Sequence, residues 1–406
     1  SATVQLGNND GIISKTQPVV IGKEHGVNNV KGYFRFFDGI IKGKATTSEE
    51  NDGHHGIITL IPDGTLVRDD DFEYINKVEY DVEYLETMGD WLQLSDGSTY
   101  NSINAAYRAA KETDTMTVLK NVHIAFEQSM PTGKNITFDL NGKSVTLTQP
   151  INVSADTLFV DNLENGSLHN VRTTTLSNSG TMRIESGSYS TDYGSTVVNG
   201  GTLTLEGGEY TTKDGYPITN NGTLYYEDGL ITALNHYAVD NNGTFTMNHG
   251  EINTYGGVDN SGTFTIKNDA RLVGTNNPSI ASTGVVNVLD EAEVYNEYTR
   301  AISASCGTVN IKGGTTTSTV DDSIYLGSAW GCGHASINVS NGEVIGKSNG
   351  ITHYDSGNVI NVSGGHIVGE EGNGINTRCT TNITGGVIEG NTYGVYVHGG
   401  TTTIGE

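Results

Sequence analysis

The side chains on this chain that chemistry would use are its carboxylates, a few aromatic residues in loops, and three cysteines. Asp321-Asp322 stands as a lone pair, and Asp69-Asp70-Asp71 with Glu73 forms an acidic stretch. A polysaccharide lyase needs Asp/Glu clusters on neighbouring strands to hold Ca²⁺, together with a basic residue that takes the proton. A glycoside hydrolase needs two carboxylates facing each other across a groove. Arginines in the repeated part of the chain are limited to Arg172, Arg183, Arg271, Arg300 and Arg378, and no Asp column is expected at one register across neighbouring repeats. Catalysis is therefore not expected, nor is a cofactor or metal. The acidic stretch reads as a solvated turn in preference to a Ca²⁺ site.

Trp330, with Tyr325 and His334, lies in the longest interval between repeats, from Gly314 to Gly342. Loops on rigid scaffolds carry binding, and an indole stacks on sugar rings, so these three are the candidate ligand-binding residues. The competing reading is a corner loop that covers its own apolar patch. Cys306, Cys332 and Cys379 are an odd set that leaves a thiol free, and Cys306 could meet Cys332 one repeat away. Triplets such as Asn221-Gly222-Thr223 arise from the repeat and are not read as glycosylation sites.

Composition limits what could position these groups. Gly supplies 54 of 406 residues, Pro only 6, and charged residues 17%. So much Gly, Asn and Thr disfavours helix, and the low charge argues against disorder. The chain reads as all-β with many tight turns. Its formal charge of −25 repels phosphate backbones and anionic headgroups, so nucleic acid and membrane surfaces are not expected partners. No apolar run approaches a membrane span, and Ser1 opens no signal segment, so a mature secreted product or part of a larger protein is expected.

From about residue 136 one pattern recurs: Gly-Thr, an alternating strand, a Gly-containing turn, then two further apolar points. GTLTLEGGEY, GTLYYEDGLI and GTFTMNHGEI are examples, and the turn markers Gly187, Gly208, Gly229 and Gly250 are 21 residues apart. Across the array the period is about 22, which means a solenoid. Strict alternation, as in Leu203/Leu205 or Ile360/Val362, buries one strand face. Three short apolar segments per period suit a right-handed parallel β-helix. Asn or Asp before each Gly-Thr, as in Asn220-Asn221 and Asn241-Asn242, should supply left-handed corner residues and an amide ladder.

Three regions follow: partial coils over 1–50, a small β connector over 51–98, and the main β-helix over 99–406. Ile57–Gly64 resembles a hairpin and Tyr74–Leu85 a strand. A helix near 101–111 should cap the first coil of the main array. At the other end, Gly400–Glu406 is expected to stop partway through a coil. Two coils cannot bury a core alone, so residues 1–50 are expected to stack on the open last coil of another copy or of the next unit in a tandem protein, the competing reading being that they fold back on the same chain. Val4, Leu6, Phe34 and Phe36 would meet Thr402 and Ile404, head to tail.

The run from Ser102-Ile103-Asn104-Ala105-Ala106 through Asn135–Lys143 into Gly-Thr repeats resembles the pectate-lyase-like β-helix surface proteins of Gram-positive and gut anaerobic bacteria. Phe34–Gly43 resembles the segment that closes such β-helices, here placed before the array instead of after it. The resemblance implies an extracellular or cell-surface protein of adhesin or fibre type, in a superfamily that also holds lyases and hydrolases. A structural filament subunit is the expected function, with a glycan-binding adhesin and a polysaccharide lyase as alternatives.

Overall fold

Alternating strands that each bury one face can share a core only by stacking turn upon turn, and the chain does this. The computed structural model describes residues 90–124, 127–327 and 333–405, and upstream of residue 90 the backbone of short strands alone. It is an all-β, right-handed parallel β-solenoid with a period near 22 residues, about 13 turns in all. The chain divides into two units, residues 1–180 and 181–406.

In the second unit a turn has three arms, first seen as Thr181–Ile184, Ser188–Thr191 and Val197–Asn199. The Gly-Thr strand of each turn pairs in parallel with the next: Leu203 opposes Leu224, Leu224 opposes Phe245, and Phe245 opposes Phe264. All four are completely buried, and the Phe245 and Phe264 rings lie 4.8 Å apart. Each such side chain contributes roughly 1.5–3 kcal/mol by leaving water. After the turn, Tyr189 stacks on Tyr210 at 5.5 Å, and each hydroxyl bonds a backbone carbonyl of its own turn.

Glycine before threonine has a steric cause. A Cβ on Gly222, Gly243, Gly262 or Gly284 would fall 2.0–2.1 Å from the carbonyl oxygen of the equivalent glycine one turn earlier. Glycines thus stack on glycines, and no other residue fits. At the strand-to-strand turn, Gly187, Gly208, Gly229 and Gly250 adopt positive φ, as the shared marker position requires. Where the marker is Asp269 or Glu291, the residue before it, Asn268 or Asp290, takes the left-handed conformation instead.

The corner asparagines correct one expectation and meet the other. Asn220, Asn241 and Asn260 do not have positive φ. Their side chains point inward and are buried, and they form the ladder: Nδ2 of Asn199 donates to Asn220 Oδ1, Asn220 to Asn241, and Asn241 to Asn260, each at 2.7 Å. Asn260 ends it on the Ser282 hydroxyl at 3.0 Å. The corner is held by amides that satisfy buried carbonyls, which removes any need for a left-handed residue. A second ladder runs on the outer strand face through Asn287, Asn310, Asn338, Asn361 and Asn382 at 2.9–3.0 Å.

In the first unit the array begins with a closed edge. Leu92–Leu94 pairs antiparallel with Met116–Val118, and helix α1 (Ile103–Ala109) packs beside it with Ile103, Ala105, Ala106 and Tyr107 buried. Ser102 caps its N-terminus by accepting from the Ala105 amide, and Lys134 Nζ donates to the Arg108 and Ala110 carbonyls at its C-terminus. Further upstream, Thr3–Leu6 pairs in parallel with Tyr33–Phe36, Val19–Ile21 with part of Ile40–Lys44, and Val27–Asn28 with Ile58–Thr59. Ile58–Thr59 therefore pairs as a coil strand, and the remainder of that expected hairpin lies outside the described residues. Lys77–Glu79 and Val82–Glu86 form two antiparallel strands in place of the single strand expected there.

Cys306 is disulfide-bonded and Cys379 is a fully buried free thiol; Cys332 lies outside the described residues. Maleimide is expected to label Cys379 only after denaturation, and mass-spectrometric detection of labelled Cys379 in the native protein would contradict its burial.

Candidate functional site

The site residues expected from sequence fall in different places. Tyr325 lies on the outward side of Ile324–Leu326, His334 is exposed just before Ala335–Gly346, and Trp330 lies outside the described residues. His334 packs its ring on Gly357, where an added Cβ would come within 1.9 Å of it. Tyr325 belongs to a larger feature. The Arg300 guanidinium lies 4.0 Å from the Tyr325 ring centre, Tyr325 is 6.3 Å from Tyr354, and the Arg378 guanidinium is 5.6 Å from Tyr354. Arg300 also meets the Asp321 carboxylate at 3.3 Å, while no ion pair engages Arg378 among the described residues.

Along the register Tyr325 opposes Thr352, Thr352 opposes Asn376, and Asn376 opposes Tyr396. Tyr396 stacks on Tyr393 at 5.2 Å and meets His398 edge-on at 4.1 Å. Beneath it Asn376 is buried with its Oδ1 unbonded among the described residues. The sequence signal was present but scattered, because Tyr354 and Arg378 occupy a loop position that the strand pattern does not register.

The expectation that no Asp column exists is overturned. Asp240 and Asp259 are direct register partners on neighbouring turns, and the repeated Val-Asp-Asn at 239–241 and 258–260 was the sequence signal for it. Parallel pairing sets them about 4.8 Å apart along the stack. Burial raises both carboxyls above their ordinary range, and the Asp240 charge raises Asp259 further. The Tyr216 hydroxyl donates to Asp259 at 3.5 Å, and Tyr237 beside them is pushed up to about 12, chiefly by burial. No cation pairs with either carboxylate among the described residues.

Asp321-Asp322 is used structurally. Burial raises the Asp322 carboxyl, which accepts from the Asn349 backbone amide at 3.1 Å and its side-chain amide at 2.7 Å. Among the described residues no group of three or more His, Cys, Asp or Glu could hold a metal, and no helix is long and apolar enough to cross a membrane. The Asp69–Glu73 stretch lies outside the described residues.

The turn that holds Ile404 is paired on one side only within the described residues of this chain. Ile404 opposes Ile383 and Val397 opposes Thr377, yet Ile383 is 8% exposed and Thr377 fully buried, against 71% for Ile404 and 43% for Val397. Thr402, beside Ile404 in the same strand, opposes the buried Thr381. Val4, Leu6, Phe34 and Phe36 are placed by backbone alone, with Val4 opposing Phe34 and Leu6 opposing Phe36.

The fold defines a parallel β-solenoid repeat protein, with an outward cluster of Arg300, Tyr325, Tyr354 and Arg378 on its surface. No family model, curated protein or solved structure matches this chain.

Proposed function

We propose that the chain is a structural subunit of an extracellular filament or surface fibre, joined head to tail through terminal coils. The observation that carries this reading is the parallel register of successive turns, in which each strand is paired on the one before it, as Ile404 is on Ile383 and Val397 on Thr377. Parallel strands whose edge groups lack partners recruit another strand, and a joint between two different surfaces propagates. The three parallel pairings within residues 3–59 follow the three-armed plan of a solenoid turn, so they offer a surface of matching form. The reading holds equally for copies joined covalently in tandem, and it accords with the resemblance to bacterial β-helix surface proteins of adhesin or fibre type.

Negative-stain microscopy of the purified chain across a concentration series is expected to show rods that lengthen with concentration. Ile404→Asp is expected to shorten them to single subunits, since it puts a charge into the joint. Uniform short particles of wild-type protein at every concentration would sink the proposal.

A further inference from the structure

The outer face of the Gly-Thr arm carries no charge over most of the second unit. At each turn this arm presents two outward side chains, and its turns pair in register from residues 202–205 to residues 380–383. One turn earlier Arg183 closes the face, bonded to Glu185 and Glu206. Beyond it both outward columns hold Thr, Ser, Asn and Val, with Tyr225, and each of these side chains is half-buried or exposed. The other two arms differ. Glu251, Arg271 and Glu293 are outward register partners on the second, and Asp240 and Asp259 on the third. A chain of net charge −25 thus keeps one long face free of charge, which is the composition of the centre of a protein interface.

We infer that two copies of the chain meet side by side on this face, antiparallel and related by a two-fold axis near Val285. Copies of like charge repel one another, so they approach most closely where neither is charged. The face is also complementary to itself. One half of its second column holds Thr204, Thr246 and Thr265, and the other half is the amide ladder that runs to Asn382. Val285 lies in the middle turn, so antiparallel packing about it lays the hydroxyls of one copy on the amides of the other. Each ladder amide spends one N–H and one lone pair on its neighbours, which leaves a second N–H and a second lone pair for that contact. The same axis sets Tyr225, 39% exposed, against Val359 of the second copy. Side-chain ladders of this kind keep a sheet flat over many strands, as face-to-face packing requires. The face advances eight turns, about 38 Å at ~4.8 Å per turn, and at about 10 Å wide it covers roughly 400 Å² per copy, the size of a weak, reversible contact.

This contact goes beyond end-to-end assembly, because chains joined only at their ends place no copy over Val285. The full chain carrying Val285→Cys is treated with a short bis-maleimide and run on denaturing gels, beside wild type and Thr232→Cys, which lies outward on the second arm. Val285→Cys is expected to give several-fold more covalent dimer than either reference. Added salt should raise the yield by screening the repulsion between copies. Thr263→Glu, added to the Val285→Cys chain, should cut the yield about tenfold by bringing an unpaired charge into the contact, while the melting temperature stays at that of the parent. Three outcomes overturn the inference: a dimer yield from Val285→Cys no higher than from Thr232→Cys, a yield that Thr263→Glu leaves unchanged, or a yield that falls as salt is added.

Discussion

Asn220→Leu is expected to destabilise the second unit by roughly 3 kcal/mol, although leucine is larger in apolar area and similar in volume. Asn220 is completely buried; its Nδ2 donates to Asn241 Oδ1 at 2.7 Å and to the Thr244 carbonyl at 3.0 Å, and its Oδ1 accepts from Asn199 at 2.7 Å. Leucine would leave Asn241 Oδ1 and the Thr244 carbonyl without that donor, inside a corner that water does not reach. An unmet buried polar group costs on the order of 1–3 kcal/mol, more than the ~1 kcal/mol that a formed bond contributes. The neighbouring Asn221 is exposed, and among the described residues its Oδ1 bonds only Asn242, at 3.3 Å. Asn221→Leu should change stability by less than about 0.5 kcal/mol. Urea unfolding of the two variants side by side checks this, and equal midpoints would refute the role given to the ladder. Because each turn leans on its neighbours, the loss should also lower the cooperativity of the transition.

Acid is expected to weaken the second unit through His353. This histidine is completely buried at an inward position opposing Leu326, and its Nε2 accepts from the Asp355 amide at 3.3 Å. Nδ1 has no partner among the described residues, so a second proton would sit as an uncompensated charge in the core. Burial lowers its pKa from 6.5 to about 4, against a smaller opposing effect of Asp355. The folded pKa lies below the unfolded one, so the unfolded chain binds the extra proton first. The contribution is complete above pH 6.5 and is lost as the pH falls from there to about 4. That gap is worth ~3 kcal/mol. His353→Leu should abolish that part of the acid loss, leaving a smaller difference in melting temperature between pH 7 and pH 4. His123 in the first unit is likewise lowered to about 4 by burial, so its own acid sensitivity should persist in the variant. An unchanged pH profile in His353→Leu would mean that His353 is not the group responsible.

Much of the architecture was legible because each turn repeats the same local constraints. The Gly-Thr pair marks a contact where only glycine fits, and the alternation of Leu203 with Leu205 or Ile360 with Val362 marks the inward face. The role of the corner asparagines was half legible. Composition pointed to amides stacking, but whether Asn220 served by its backbone angle or by its side chain depended on which way that side chain turned. The Asp240–Asp259 pair was missed for a related reason. The interval between their turns is 19 residues (259 − 240) instead of about 22, so a reading tuned to the mean period did not bring the two into one column.

By itself, then, the sequence determined the fold class, the repeat length, the buried strand positions and the helix at the start of the array, because these rest on period and local sterics. Only the tertiary structure decided which outward residues become neighbours. Tyr325, Tyr354 and Arg378 are separated by 29 and 24 residues (354 − 325, 378 − 354), and they form one cluster because parallel stacking converts a separation of about one period into adjacency. Small insertions and deletions at the corners shift that conversion from turn to turn, and backbone hydrogen bonding between turns sets the register.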